Sequence, residues 1–226
     1  PTIVISFGFL VINFLFKNKD ENIDLGIVGI LGYLFLYFIS NLIHLFSEIS
    51  DLIIFLVQIV GFLLFIYFLF SKKIKSFELI KLYVLSLVLL PIAIISEPNE
   101  DFYYYYLPYL KYLNSSNIIF GLVNLNDTLT YSTNSLYDIL IFFKFPFLFQ
   151  NVYPIPIFFL YIFYLIFLIN RFNKTKDIFY FFVLSLSLIA FTKLRDFGTS
   201  IPPQLILIIC LCLIYENIFL NTIKRK

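Results

Sequence analysis

The feature that most constrains this chain is a succession of apolar runs that hold almost no charge. Seven of them cover about Thr2–Phe16, Gly26–Phe46, Leu52–Phe70, Leu79–Ile95, Tyr153–Asn170, Ile178–Phe191 and Pro203–Leu220. A helix needs about 20 residues to cross the hydrocarbon layer of a bilayer, and most of these runs approach that length. Helices are expected because lipid offers no partner to free backbone groups. A membrane barrel would alternate apolar and polar residues, and these runs do not. The first and sixth runs are short for a span. The sequence therefore predicts an all-α, polytopic helical membrane protein of about seven spans. Composition agrees: 61% of the 226 residues are apolar and 13% are charged, against roughly 45–50% and 25% in soluble domains. A soluble enzyme, a disordered chain and a nucleic-acid binder are excluded. The chain has no Met and begins at Pro1 inside an apolar run. It is therefore expected to be a fragment of a longer protein, with seven spans as a lower bound. Residues 1–226 are expected to form a single transmembrane domain.

Basic residues orient membrane helices, being enriched on the cytoplasmic side. One side of the predicted bundle carries Lys17, Lys19, Lys72, Lys73, Lys75, Lys81, Arg171, Lys174, Lys176, Lys224, Arg225 and Lys226, which is 12 of the 16 basic residues. This side is expected to be cytoplasmic, and with it the C-terminus. The other side carries Lys111, Lys144, Lys193 and Arg195. It also holds Glu48, Asp51, Glu97, Glu100, Asp101, Asp127, Asp138 and Asp196, eight of the 14 acids. An eighth span at Leu136–Phe149 would flip all that follows and nearly erase the bias. That segment, with its Lys144 and Pro146, reads instead as an interfacial or re-entrant helix. With 13 Lys to 3 Arg and only two Ala, the coding sequence reads as AT-rich. The expected home is the inner (plasma) membrane of a bacterium.

One connection is long. Residues 96–152 are expected to form an extracytoplasmic loop with interfacial helices, and loops of that length are usually functional. It opens with Glu97-Pro98-Asn99-Glu100-Asp101. An acidic pair at a membrane surface can hold a divalent cation, Mg or Mn, through hard oxygen ligands, or act as a general base. The same residues could equally end one helix and cap the next. The aromatic stretch Phe102-Tyr103-Tyr104-Tyr105-Tyr106 follows. Tyr suits the headgroup zone, with its ring in the apolar layer and its hydroxyl in water. The stretch is either an ordinary aromatic belt or a platform, Tyr104 included, that holds a lipid-linked or sugar substrate against Glu100 and Asp101.

Glu100-Asp101-Phe102-Tyr103-Tyr104, followed by an amphipathic helix, resembles the first large outer loop of the GT-C membrane glycosyltransferases. Tyr103 stands three residues after the first acid, as it often does there. In that superfamily the pair follows the first span, whereas four apolar runs precede it here. The resemblance covers about Ile95–Phe149. It implies transfer of a sugar from a polyprenyl-phosphate or polyprenyl-diphosphate donor on the outer face to a glycan, lipid or protein acceptor. It implies Asp101 as the catalytic carboxylate, with Glu100 assisting, and the pair as the ligands of any divalent cation.

Such a reaction needs positive charge for the leaving phosphate. Lys193 and Arg195, in Lys193-Leu194-Arg195-Asp196-Phe197-Gly198-Thr199-Ser200, break the positive-inside bias and supply it. Arg195 can grip phosphate oxygens bidentately. The alternative is that both reach lipid headgroups. Asn41, His44 and Glu48 follow helical spacing and are expected on one face, either lining the outer cavity with His44 as an acceptor-site base, or making an interhelical contact. Gln58 and Glu216 read as structural. Cys210 and Cys212, two apart, should point to different sides of one helix. Two other functions fit a polytopic chain. An O-antigen polymerase-like or ligase-like protein would lean on outer basic and His residues, which are few here. A transporter would show paired broken spans, and the Gly26, Gly29, Gly32 cluster has no later counterpart.

Overall fold

The structure is a computed structural model that describes residues 1–15, 24–71, 74, 76–94, 104, 108, 116–117, 121, 155–190 and 201–220. Among them are seven α-helices and no strand: α1 (Thr2–Leu15), α2 (Leu25–Phe46), α3 (Asp51–Phe70), α4 (Ser76–Ile94), α5 (Ile155–Thr175), α6 (Ile178–Ala190) and α7 (Ile201–Tyr215), which runs on into a π turn, Glu216–Leu220. Each expected apolar run is a helix. Four are long and apolar enough to cross a membrane by length and composition: α2, α3, α5 over Ile157–Thr175, and α7 with its π turn to Ile218. The all-α, membrane-type architecture therefore holds.

Local chemistry sets the helix ends. Asp24 caps α2, its carboxylate accepting from Gly26 N–H at 2.9 Å, and Ser50 caps α3 by accepting from Ile53 N–H. Both satisfy donors that a first turn leaves open. Between α5 and α6 only Lys176 and Asp177 intervene. Lys176 is left-handed, with φ 54, and its N–H donates to the Phe172 carbonyl at 2.7 Å, closing α5. Asp177 then caps α6 through Phe179 N–H at 2.9 Å.

One expectation about α2 is corrected here. Its helix stops at Phe46, and Ser47 turns to an extended conformation at its C-cap. Glu48 is thus outside the helix and exposed, and it does not share a face with Asn41 and His44. Helical spacing cannot carry a residue past the cap. The Asn41 amide donates to the Tyr37 carbonyl of its own helix at 2.8 Å.

The core forms where backbones approach closely. An added Cβ at Gly32 would meet the Val4 carbonyl and the Gly8 nitrogen, and one at Gly8 would meet the Val28 carbonyl. A side chain at Gly26 would strike the α5 backbone at Phe163 and Phe167, and one at Gly29 the Phe163 ring. Small residues that allow such approach are the usual way membrane helices associate. These contacts set α1 and α5 each antiparallel to α2. Helix α3 packs on α1 through Gly61 against Ile3 and Phe7 and through Phe68 against Phe9, rings 5.3 Å apart. Helix α5 sits at the centre, buried without a break from Leu160 to Leu168. An apolar helix buried on all sides belongs in the middle of a bundle. Tyr161 and Tyr164 spend their hydroxyls on Ser187 of α6 at 2.8 and 2.6 Å, so no polar group is wasted there. Outward, α3 exposes Leu52, Phe55, Leu56, Ile59, Phe62 and Leu63, an apolar face of the kind lipid covers.

Candidate functional site

Two ends of the bundle carry polar chemistry. At one end, His44 in the last turn of α2 is fully buried. Its Nε2 lies 2.8 Å from the Ser116 carbonyl oxygen, 72 positions along the chain. A carbonyl can only accept, so Nε2 carries the hydrogen in this contact. Ser116 belongs to the long 96–152 connection. The contact therefore brings that connection back over the end of α2. Tyr104 is 77% exposed. Of the six residues expected to form the site, these two are placed: His44 is buried and bonded to Ser116, and Tyr104 is exposed. Glu100, Asp101, Lys193 and Arg195 lie outside the described residues, as does the interfacial helix expected at Leu136–Phe149. Among the described residues no three His, Cys, Asp or Glu side chains are grouped to hold a metal ion. The acidic pair expected to bind one is not among them.

The opposite end holds a polar cluster that draws on four segments. Asn170, near the end of α5, is its hub. Its amide nitrogen donates to Asp24 Oδ1 at 3.0 Å and to Glu78 Oε2 of α4 at 3.2 Å. Its amide oxygen accepts from Lys81 Nζ at 3.1 Å, and Lys81 also pairs with Glu78 one turn away at 2.7 Å. The next residue, Arg171, pairs through Nη1 with Glu216 Oε2 of α7 at 3.1 Å and lies over the Phe167 ring. Its Nε is buried and has no hydrogen-bond partner among the described residues; Asp24 Oδ2 lies 3.9 Å away. That is too long for a hydrogen bond. Beyond Arg171, the Tyr215 hydroxyl donates to Asp177 Oδ2 at 2.9 Å.

The electrostatics of the cluster centre on Asp24, which lies just outside the spans. Burial pushes its carboxyl above the usual Asp range. The Asn170 amide, the Gly26 N–H and Arg171 pull the other way, while Glu78 adds to the rise. Desolvation outweighs the favourable contacts because charge is costly to strip of water. The cluster also fixes chain direction. The start of α4 and the end of α5 meet at Asn170, so these helices are antiparallel and the 96–152 connection leaves and returns at the opposite end.

Sequence reasoning saw Lys81 and Arg171 only as orientation charges and Glu216 as structural. It passed over Asp24, Glu78 and Asn170. The available signal was position: each stands within a turn of the same end of an apolar run. What the sequence lacked was the pairing. Comparison of the chain with protein-family models, with curated proteins and with solved structures finds no match to any of them.

Proposed function

We propose that this chain is part of a bacterial inner-membrane glycosyltransferase of the GT-C type. It would move a sugar from a polyprenyl-phosphate donor to a glycan, lipid or protein acceptor on the extracytoplasmic face. The observation that carries the reading is the Glu100-Asp101-Phe102-Tyr103-Tyr104 sequence, at the head of a connection whose Ser116 is bonded to His44 at the end of α2. The Tyr104 ring is exposed there, as a surface for a lipid-linked substrate needs to be.

The chemistry is a displacement at the anomeric carbon. The acceptor hydroxyl oxygen forms the new bond to that carbon, and the bond from the carbon to the donor's phosphate oxygen breaks. The electron pair leaves with the phosphate. Asp101 takes the hydroxyl proton as general base, and Glu100 supports it. Lys193 and Arg195 receive the charge that develops on the phosphate. Where a divalent cation takes part, Glu100 and Asp101 supply the hard oxygen ligands it prefers.

The test is turnover. The full-length protein, reconstituted in lipid with a polyprenyl-phosphate sugar, is expected to transfer or release sugar. Asp101→Asn is expected to lower that rate by about 10²–10⁴-fold, the usual share of a general base. Arg195→Gln is expected to lower it as well. Parent-like turnover in Asp101→Asn would refute the assignment.

A further inference from the structure

The cluster at the end of the bundle away from the long connection contains one interaction that is set up but not made. Arg171 Nε is buried without a hydrogen-bond partner among the described residues. Asp24 Oδ2 lies 3.9 Å from it. The rest of Asp24 is fully engaged through the other oxygen, since Oδ1 accepts both from Gly26 N–H and from Asn170 Nδ2. A proton on this carboxyl would therefore sit on Oδ2, the oxygen nearer to Arg171 Nε. An ionised Oδ2 would draw the guanidinium across the gap.

We propose that Asp24 is a proton-binding site that works a clasp between α2 and α7. With the proton bound, the guanidinium hydrogen-bonds Glu216 and not Asp24, the contacts it has in the structure. With the proton gone, Asp24 and Glu216 share one guanidinium, and the start of α2 is joined through α5 to the π turn of α7. Three side chains on three helices suffice for this: Asp24 at the cap of α2, Arg171 on α5 and Glu216 on α7. The π turn begins at Glu216, and single π turns inside helices are common where a helix must adjust.

The other groups around the site fit the same assignment. Glu78 and Lys81 of α4 pair with each other and reach Asp24 through Asn170, so they leave Oδ2 to Arg171. From α6 the Tyr180 hydroxyl lies beside Glu216 and donates to the Cys212 carbonyl of α7 at 3.4 Å. The side chains of Asp24, Arg171 and Glu216 keep small exposures, 14%, 17% and 18%, so protons can reach them from solvent. Independently of the gap, burial raises the Asp24 carboxyl above its usual range, which moves its titration toward physiological pH. The proposal does not depend on the glycosyltransferase reading. It goes beyond it, by adding a proton-linked device to the inner end of the same bundle.

Nuclear magnetic resonance of arginine side chains tests it on the full-length protein in lipid nanodiscs. The chain has 3 Arg, so the Arg171 Nε–H signal is assigned by its loss in Arg171→Lys. As pH rises from about 4 to about 8, a range that spans ordinary and raised carboxyl values, this signal is expected to shift along a one-proton curve. Asp24→Asn keeps an oxygen for Gly26 N–H and is expected to abolish the shift. In Glu216→Gln the shift is expected to remain. Asp24→Glu, which lengthens the side chain by one methylene, is expected to keep a titration with a moved midpoint. A signal that stays put in the parent overturns the proposal. So does an unchanged curve in Asp24→Asn or Asp24→Glu, or a curve that vanishes in Glu216→Gln.

Discussion

Asp24 shows how much a single side chain can carry at the edge of a membrane helix. It caps α2, accepts from Asn170 and faces Arg171. Asp24→Ala removes the cap and is expected to cost about 1 kcal/mol, while Asp24→Asn keeps the acceptor and is expected to cost less. The two differ in pH dependence from the parent. Because the folded-state carboxyl titrates above its unfolded value, Asp24 favours the fold at low pH. That contribution is lost as pH rises through the raised value. Thermal unfolding of the detergent-solubilised parent should therefore show a stability loss in that window, and Asp24→Asn should not. Arg171→Gln strands Glu216 as a part-buried carboxylate and is expected to destabilise by about 3 kcal/mol, as removing one member of a buried pair does. Some residue-level facts were legible in advance. Cys210 and Cys212 were expected on different sides of a helix, and the first is exposed while the second is buried. The Asp24–Arg171–Glu216 arrangement was not legible, because its members lie 147 and 45 positions apart in the chain and no local pattern links them.

The helices were the most legible level. The apolar runs Gly26–Phe46, Leu52–Phe70 and Ile178–Phe191 match α2, α3 and α6 almost to the residue, while the caps Asp24, Ser50 and Asp177 that set their starts were not read in advance. Glu48 was misplaced because periodicity continues on paper where Ser47 ends the helix. The glycines carried a signal that was read for the wrong purpose. Gly26, Gly29 and Gly32 were weighed as a transporter's broken span, yet in the fold they lie in an unbroken helix and let α1 and α5 approach α2. Gly32→Leu is expected to force α1 off α2, since its Cβ would land on the Val4 carbonyl. A loss of at least about 2 kcal/mol is expected from such overpacking, measured as a lower unfolding temperature in detergent. Gly121 offers a contrast: its φ of 84 serves a turn. Lys176 also adopts a left-handed φ, where Gly is the favoured helix-ending residue. Lys176→Gly should thus stabilise the α5–α6 turn by several tenths of a kcal/mol. The central place of α5 was hidden for a physical reason: a lipid-facing apolar helix and a buried one have the same composition, and only neighbours tell them apart.

At the scale of the whole molecule, the two ends of the bundle differ in kind. One end gathers acids and bases from α2, α4, α5 and α7 into a partly buried network. The other receives the long connection, tied down where His44 meets Ser116. The count of basic residues had assigned these ends to the cytoplasm and the outside, because charge bias is a global property that sequence preserves. The same count says nothing of how the outer residues are arranged, because charge bias carries no information on pairing. The proposed sugar transfer depends on this sidedness, because it needs the connection outside. The direct measurement is labelling by a membrane-impermeant thiol reagent in intact cells and in inside-out vesicles, with Cys210 and Cys212 replaced by Ser. A cysteine at exposed Asn117 is predicted to react in intact cells, and one at exposed Lys174 only in inside-out vesicles. Labelling of both positions from the same side, or in the reverse order, would contradict the account.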